Sequence, residues 1–482
     1  MLNFQQKLFA SNQPFGGTMD LSASFKAYDV RGIVGVTITA ENVEAVGAAF
    51  VDVLGLSGQT IFCGGDMRPS SPIFTRAFSK GAGKRGALVK DLGLISTDEL
   101  YYACGALDAA GVIFTASHNP AEYNGIKMAK AGALSVSSDS GLNEIRDLAQ
   151  HYLNEGIPGA QRRGAVAELD VLPGYAERLR SLVDLNTIRP LKVVVDAGNG
   201  MAGLTVPAVL GDRLLPALPL TIVPLYFELD GTFPNHPANP LESANLRDLQ
   251  SAVIAHGADL GLAFDGDADR CFVVDEKGQL VTPSAITSLI AVREILRAKA
   301  AGESEPAIIH NLITSKAVPE FVAAAGGRPV RTRVGHSFIK ARMAEEGAVF
   351  GGEHSAHYYF RDFYNADTGM LAAMHVVAAL GGQRLPLSEL VREFEPYSAS
   401  GEINTSVDGV SSTVARVRAA FESLSGVTVE DLDGLSITDD TGDWWFNLRA
   451  SNTEELLRLN VEAKDAETMR RVRDGVLDRI RR

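Results

Sequence analysis

The sequence predicts an α/β protein of three consecutive strand-and-helix sections, closed by a smaller α+β section. Three observations carry this. Short runs of β-branched, aromatic or other apolar residues, such as Val112-Ile113-Phe114, Val193-Val194-Val195 and Leu260 to Phe264, each stop at a small-residue or polar loop. Between such runs lie stretches with apolar residues at helical spacing, for example Val43, Val46, Phe50 and Val53. After about Ser398 the pattern changes to short alternating strands, with Leu457, Leu459 and Val461 separated by Arg458, Asn460 and Glu462. Alternating strands and helices bury their apolar faces as layers, whereas strands gathered at one end form a separate antiparallel unit.

At 482 residues the length suggests roughly three domains of about 150 residues. Hydrophobic residues at 46% and charged residues at 22% exclude a largely disordered chain. The formal net charge of -14 leaves no basic excess to displace counterions, so a general nucleic-acid binder is excluded. No apolar run approaches the roughly 20 residues of a membrane helix, and no membrane partner is expected. Three scattered cysteines, Cys63, Cys104 and Cys271, make neither a disulfide framework nor a zinc site, which fits a reducing cytoplasm. Residues 1–22 lack the apolar core of a signal peptide, and Met19 offers a second plausible start. A poorly ordered extension is expected there.

In chain order, the first section (23–160) opens with Tyr28-Asp29-Val30-Arg31-Gly32 and a helix over Glu41 to Leu54. A strand at Ile61 to Cys63 enters the turn Gly64 to Arg68, followed by a helix from about Ile73 to Gly83 and a strand around Ala87 to Val89. The strand Val112 to Phe114 delivers Ser117 to a loop at its C-terminal end, a usual place for chemistry in such folds. Pro120 cannot continue a ladder and biases Asn119 away from helix, which holds that loop open. Lys127 follows ten residues beyond the serine, and Ser140 is expected to cap a helix bearing Leu142, Ile145, Leu148 and Tyr152. A polar stretch, Glu155 to Gly164, marks the boundary.

The second section (161–279) carries Val193 to Asp196 into Gly198-Asn199-Gly200, either a phosphate-cradling nest or a tight turn into a helix. It ends with the acidic loop Asp265-Gly266-Asp267-Ala268-Asp269-Arg270 between strand-like runs. The third (280–397) has a helix with Ile286, Leu289, Ile290 and Leu296, a strand from Ile308 to Ile313, then His336-Ser337 and the loop Gly351 to His357. Asp367 is placed to cap a following helix whose Met370, Met374 and Val377 face one side. The last section (398–482) has a helix near Val414 to Leu424, strands around Leu435 to Thr438 and Trp444 to Leu448, and a loop at Arg449-Ala450-Ser451-Asn452-Thr453. A final helix turns Met469, Val472, Val476 and Ile480 inward.

The acidic loop is the most specific local signal. Three aspartates at alternate positions aim carboxylates at one hard cation, and oxygen-only ligands suit magnesium or calcium rather than zinc. Asp265, Asp267, Asp269 and Glu276 fall at the first, third, fifth and twelfth positions of an EF-hand, but Arg270 stands where that motif needs glycine and the flanks are strands. The alternative is a solvated acidic turn. A cation site, a loop serine, Lys127 and an arginine-bearing polar loop together point to phosphoryl transfer, which needs a carrier, a cation and positive groups around the phosphate.

These loops resemble those of the α-D-phosphohexomutases, which include phosphomannomutase and phosphoglucomutase. The resemblance rests on Thr115-Ala116-Ser117-His118-Asn119-Pro120, Asp265 to Arg270, Gly352-Glu353-His354-Ser355-Ala356-His357 and Arg449 to Thr453, in the family's order, and covers about Phe25 to the C-terminus. It implies four domains around a central cleft, three with mixed sheets and a smaller C-terminal one. It implies that Ser117 is carried as a phosphoserine which, with Asp265, Asp267 and Asp269, binds Mg2+. A hexose phosphate would pass through a hexose 1,6-bisphosphate, which also serves as activator. Arg31, Lys127 and Arg270 would surround the reacting phosphate, with His118 and His336 as further site residues. Glu353, Ser355 and His357 would meet the sugar, and Arg449, Ser451, Asn452 and Thr453 would hold the distal phosphate. Sugar phosphates are the only partners implied, on a monomer or dimer.

Two departures stand out. Relatives often carry a lysine after the strand ending here at Ile313; Lys316 is offset and stays unassigned. His354 occupies a variable position of the sugar loop, and Ala356 with the following Tyr-Tyr-Phe-Arg resembles the phosphomannomutase branch. Mannose phosphates are therefore the expected substrates, with glucose phosphates possible. The competing readings are a phosphoglucomutase, a metal-dependent phosphatase using the same phosphoserine, and a noncatalytic sugar-phosphate binder.

Overall fold

The structure is a computed structural model that describes residues 20–450 and 456–481, with the side chains of His336 and Ser337 left out. Of the extension expected over residues 1–22, residues 1–19 lie outside the described residues. From Asp20 the chain is packed: Leu21 is 1% exposed and joins the first core. The chain divides into two compact units, one running up to Leu280 and adding Ser355–Leu387, the other comprising Val281–His354 and Ser388–Arg482.

The first sheet shows how the serine loop arises. Its strands are β1 (Val30–Ile33), β2 (Thr60–Gly65), β3 (Leu88–Leu94), β4 (Ala110–Phe114), β5 (Tyr123–Ala129) and β6 (Val166–Glu168), in the order β1-β5-β4-β2-β3-β6. The pairs β2–β3, β2–β4 and β3–β6 are parallel, whereas β5 runs antiparallel to both β4 and β1, so the sheet is mixed. Helices α1 (Ala40–Val53) and α2 (Ser71–Lys84) pack on it through Phe50, Phe78 and Phe114, whose neighbouring rings lie edge-on at 5.5 and 6.0 Å. Full burial of such a ring contributes about 1.5–3 kcal/mol, enough to fix the end of β4. Helix α3 (Thr97–Ala106) begins with a capping box, in which Ser96 and Glu99 satisfy each other's backbone donors.

Ser140 does not cap helix α4 (Asn143–Glu155). Ser137 and Ser140 close a separate one-turn element over Ser138–Leu142, interrupted by Gly141 at φ +127°, and α4 starts after it. The serine's own turn competes with capping.

In the second section, α5 (Leu172–Leu182) leads to β7 (Leu191–Asp196), α6 (Ala202–Val209), β8 (Leu220–Leu225), α7 (Arg247–His256), β9 (Leu260–Phe264) and β10 (Cys271–Asp275). Strands β8 and β9 run parallel to β7, and β10 returns antiparallel to β9, with Phe264 opposite Cys271. The acidic loop therefore joins two adjacent buried strands. The Gly198-Asn199-Gly200 segment is a turn: its three N–H groups donate to Asp196 Oδ1, Tyr226 O and Ala197 O, leaving none for an anion.

The second unit contains α8 (Pro283–Ala300), α9 (Ala317–Ala324), α10 (His336–Glu346) and three parallel strands, β11 (Ala307–Asn311), β12 (Arg328–Thr332) and β13 (Phe350–Gly352), with β11 in the middle. Returning to the first unit, β14 (Tyr358–Phe360) pairs antiparallel with β15 (Ala366–Asp367), and α11 (Gly369–Gly381) is buried along its whole length. Met370 and Met374 are core residues there. Thr368, rather than Asp367, caps α11: its Oγ1 accepts the Leu371 N–H at 3.2 Å, while Asp367 still belongs to β15. The C-terminal section is antiparallel, with β16 (Ser398–Ser406), α12 (Val410–Glu422), β17 (Val427–Glu430), β18 (Leu435–Asp439), β19 (Trp444–Ala450), β20 (Leu456–Ala463) and α13 (Ala466–Ile480). Its sheet order is β16-β20-β19-β18-β17, and Phe421, Phe446, Val472 and Val476 lie in its core.

Candidate active site

The first unit brings the serine loop and the acidic loop into contact. Ser117 follows β4 with φ +50°, a left-handed conformation unusual for a residue with a Cβ. Arg68, 1% exposed, holds that loop from beneath. Its guanidinium donates to the carbonyls of Ser117, Asn119, Pro120 and Tyr123 at 2.7–3.0 Å and to Asp66 Oδ2 at 3.2 Å. On the other side the backbone of Gly266 comes so close that a Cβ there would lie 2.4 Å from Ser117 O. Arg68 is absent from the residues expected in the site. Four of its five acceptors are main-chain oxygens, which leave no side-chain motif to read.

Ser117 is 5% exposed, and its Oγ donates to Asp265 Oδ2 at 2.7 Å. Arg270 donates Nε to the same oxygen at 2.8 Å and reaches Ser117 Oγ at 3.3 Å with NH2. His118 Nδ1 lies 3.2 Å from the hydroxyl, but Arg270 NH2 approaches that nitrogen to 2.5 Å. Arginine only donates, so Nδ1 is an acceptor here. Burial, then Arg270 and Arg31, push the imidazole well below its usual range, so it is neutral. Arg31 bonds Asn119 Oδ1 at 2.7 Å and Asp29 Oδ2 at 2.6 Å, which ties β1 to the serine loop.

Asp265, Asp267 and Asp269 are all fully or almost fully buried, and they offer one oxygen each within 4.8 Å of one another. Ala268 supplies the left-handed turn at φ +63° in the middle of the loop. Lys127, brought opposite Ile113 by the antiparallel pairing of β4 and β5, donates Nζ to Asp267 Oδ2 at 2.7 Å and Asp269 Oδ2 at 2.5 Å. Burial disfavours its charge, but Asp267 and Asp269 outweigh that and hold the ammonium well above its usual range. Burial likewise raises Asp265 to about 6, against Arg270. Asp269 goes the other way, well below its usual range, because Lys127 and then His357 outweigh its burial.

Of the other oxygens, Asp267 Oδ1 is buried with no hydrogen-bond partner among the described residues, while Asp269 Oδ1 faces His357 Nε2 at 3.6 Å. A buried oxygen without a partner is costly unless something positive meets it. An all-oxygen set with unsatisfied buried lone pairs fits a hard divalent cation, and the acidic cluster is a metal-binding arrangement. His357 Nδ1 pairs with Ser355 Oγ at 2.9 Å.

The remaining expected residues lie in the second unit. Glu353 is 2% exposed at the end of β13 and accepts from Asn311 Nδ2 at 3.5 Å. Arg449 does not open a loop; it lies within β19, one residue from its end, where NH2 pairs with Glu402 Oε2 at 3.2 Å and Arg458 holds the other oxygen. Ser451, Asn452 and Thr453 lie outside the described residues, as does the side chain of His336. Lys316 is engaged elsewhere, donating to Gly442 O at 3.1 Å.

Comparison with known proteins assigns the class: the chain is a hexose phosphate mutase, an isomerase that moves a phosphoryl group within a sugar phosphate. Models of the alpha/beta/alpha domains I, II and III and the C-terminal domain of phosphoglucomutase/phosphomannomutase match residues 22–155, 173–278, 283–397 and 402–479. The chain belongs to that family. It is 40% identical to a phosphomannomutase of Salmonella typhimurium over 91% of this chain and 94% of that one. It is 41% identical to phosphohexose mutases of Xanthomonas campestris over 92% and 95%. A phosphoglucomutase/phosphomannomutase family protein of Burkholderia thailandensis superposes with a TM-score of 0.83 at 30% identity, covering 95% of this chain and 96% of that one. No described helix is long and apolar enough to cross a membrane.

Proposed function

We propose that this enzyme interconverts mannose 6-phosphate and mannose 1-phosphate, with glucose phosphates as secondary substrates, through a phosphorylated Ser117 and a hexose 1,6-bisphosphate. The observation that carries this is the 2.7 Å contact of Ser117 Oγ with Asp265, inside a loop held by Arg68 and flanked by Arg270. Bound at Asp265, Asp267 and Asp269, Mg2+ would supply positive charge beside the phosphoryl oxygens. Arg31 and Arg270 donate to the transferring phosphate. In the forward half-reaction the P–Oγ bond breaks and a P–O bond to the sugar hydroxyl forms; the sugar hydroxyl loses a proton and the departing Ser117 Oγ gains one, so the step is balanced. The bisphosphate then reorients, and its other phosphate returns to Ser117.

Lys127, held as an ammonium by Asp267 and Asp269, acts by charge on the leaving and entering oxygens. A serine–histidine dyad is disfavoured, because Arg270 occupies His118 Nδ1. Glu353 and Ser355 exchange hydrogen bonds with sugar hydroxyls, and Arg449 with the Ser451–Thr453 segment grips the distal phosphate. His357 completes the sugar-facing set, and His336 is a further catalytic-site residue. The names of the Salmonella and Escherichia coli relatives favour mannose, and the free buried cysteines suit a reducing cytoplasm.

Rates on mannose 1-phosphate, glucose 1-phosphate and glucosamine 1-phosphate, with Mg2+ and catalytic glucose 1,6-bisphosphate, test this. Mannose 1-phosphate is expected to turn over fastest. Release of inorganic phosphate without a 6-phosphate product would favour the phosphatase reading instead.

A further inference from the structure

Thr97 touches the acidic loop twice, from a position 170 residues earlier in the chain. Its backbone N–H donates to Asp267 O at 3.0 Å, and its Oγ1 donates to Asp267 Oδ2 at 2.6 Å. Lys127 Nζ lies 3.4 Å from the same hydroxyl and 2.7 Å from the same carboxylate oxygen.

Thr97 is not needed to start α3. That task falls to Ser96 and Glu99, which complete the capping box on either side of it. Asp98, the next residue, is fixed independently: Ser96 Oγ, Tyr175 OH and Thr368 Oγ1 donate to its carboxylate at 2.5–2.6 Å. Thr97 itself is 0% exposed. The turn is thus braced on every side, and the one hydroxyl it does not use for bracing points at Asp267. With Oδ2 held by Thr97 and Lys127, Oδ1, which has no hydrogen-bond partner among the described residues, is the oxygen left to meet a cation.

We infer that Thr97 is a positioning residue for the metal: its hydroxyl fixes the rotation of the Asp267 carboxylate so that Oδ1 is presented to the cation. The inference rests on the reading of Asp265, Asp267 and Asp269 as metal ligands. An outer hydrogen bond of this kind typically changes metal affinity 10–100-fold when removed.

The test is direct binding of Mn2+ to the whole protein, followed by calorimetry and by the paramagnetic signal of free Mn2+, with thermal unfolding of the metal-free variants alongside. Thr97→Val keeps the shape and the backbone bond but removes the hydroxyl; Thr97→Ser keeps the hydroxyl. The expected result is an approximately tenfold weaker Mn2+ affinity for Thr97→Val and an affinity within twofold of wild type for Thr97→Ser, with KM for sugar phosphate unchanged at saturating Mg2+. Equal affinity of wild type and Thr97→Val overturns the inference, as does a loss that Thr97→Ser shares. If Thr97→Val does not fold, Thr97→Ala takes its place under the same criteria. Absence of Mn2+ binding by the wild type overturns the ligand reading itself, a distinguishable failure.

Discussion

Arg68 and Ser117 divide one task between them. The serine supplies the hydroxyl, and the arginine supplies the geometry by holding four carbonyls of its loop. Arg68→Lys keeps the charge beside Asp66 but loses the planar fork. It is expected to lower kcat by roughly 100-fold, as small misplacements of reacting groups do, with KM within about threefold. Steady-state kinetics on mannose 1-phosphate decide this. Arg68→Met should instead cost stability, on the order of 3–5 kcal/mol, because buried Asp66 loses its ion partner; urea titration reads that. For the carrier itself, intact mass separates the possibilities: wild type should show a covalent phosphate that Ser117→Ala lacks, and a phosphate retained in the variant would place the carrier elsewhere. At this scale Ser117, Lys127 and the three aspartates stand out in the sequence as candidates because side-chain chemistry marks them, and the structure brings them together. The sequence hid Arg68 and Thr97, whose importance lies in backbone acceptors and in a contact across 170 residues.

At the scale of elements, the site depends on two loops passing at near contact distance. Gly266 is the pinch point, and Gly125 is another: a Cβ at Gly125 would lie 2.3 Å from Val30 O, where β1 and β5 run side by side. Gly266→Ala must push the acidic loop from the serine loop. Activity is therefore expected to fall by at least tenfold while the melting temperature drops only a few degrees, a combination that calorimetry and kinetics together can check. Strands and helices were legible because their apolar periodicity is local. Caps were less so. Ser140 and Asp367 are good capping residues by type, but Ser140 closes its own turn and Thr368 takes the position that Asp367 was expected to fill. The antiparallel insertion of β5 between β1 and β4, which delivers Lys127, could not be read from any single stretch, because strand order is decided by long-range packing.

For the whole molecule, two buried groups set opposite limits on stability. His310 is held at about 4, from 6.5, by burial, and lies in the second unit. Its folded-state value is depressed, so the unfolded chain binds the proton more readily; stability is present above about 6.5 and is lost as pH falls toward 4, by at most about 1.4 kcal/mol per pH unit. Glu99 is raised from 4.5 to about 8, chiefly by burial, in the first unit. Its contribution is present below 4.5 and is lost as pH climbs through 8. Denaturant titrations across this range should show His310→Asn flattening the limb that falls from about pH 6.5 to 4 and Glu99→Gln flattening the limb that falls from about pH 4.5 to 8.

The distribution of two rare residue types makes those limbs separable by experiment. All three cysteines, Cys63, Cys104 and Cys271, are buried in the first unit, and the only two tryptophans, Trp444 and Trp445, belong to the second. Thiol labelling in rising denaturant therefore clocks the opening of one unit, and indole fluorescence clocks the other, with no engineered probe. Coincident transitions would mean a single cooperative molecule. Separated ones would mean that the unit carrying the serine and aspartates can open, or stay shut, on its own.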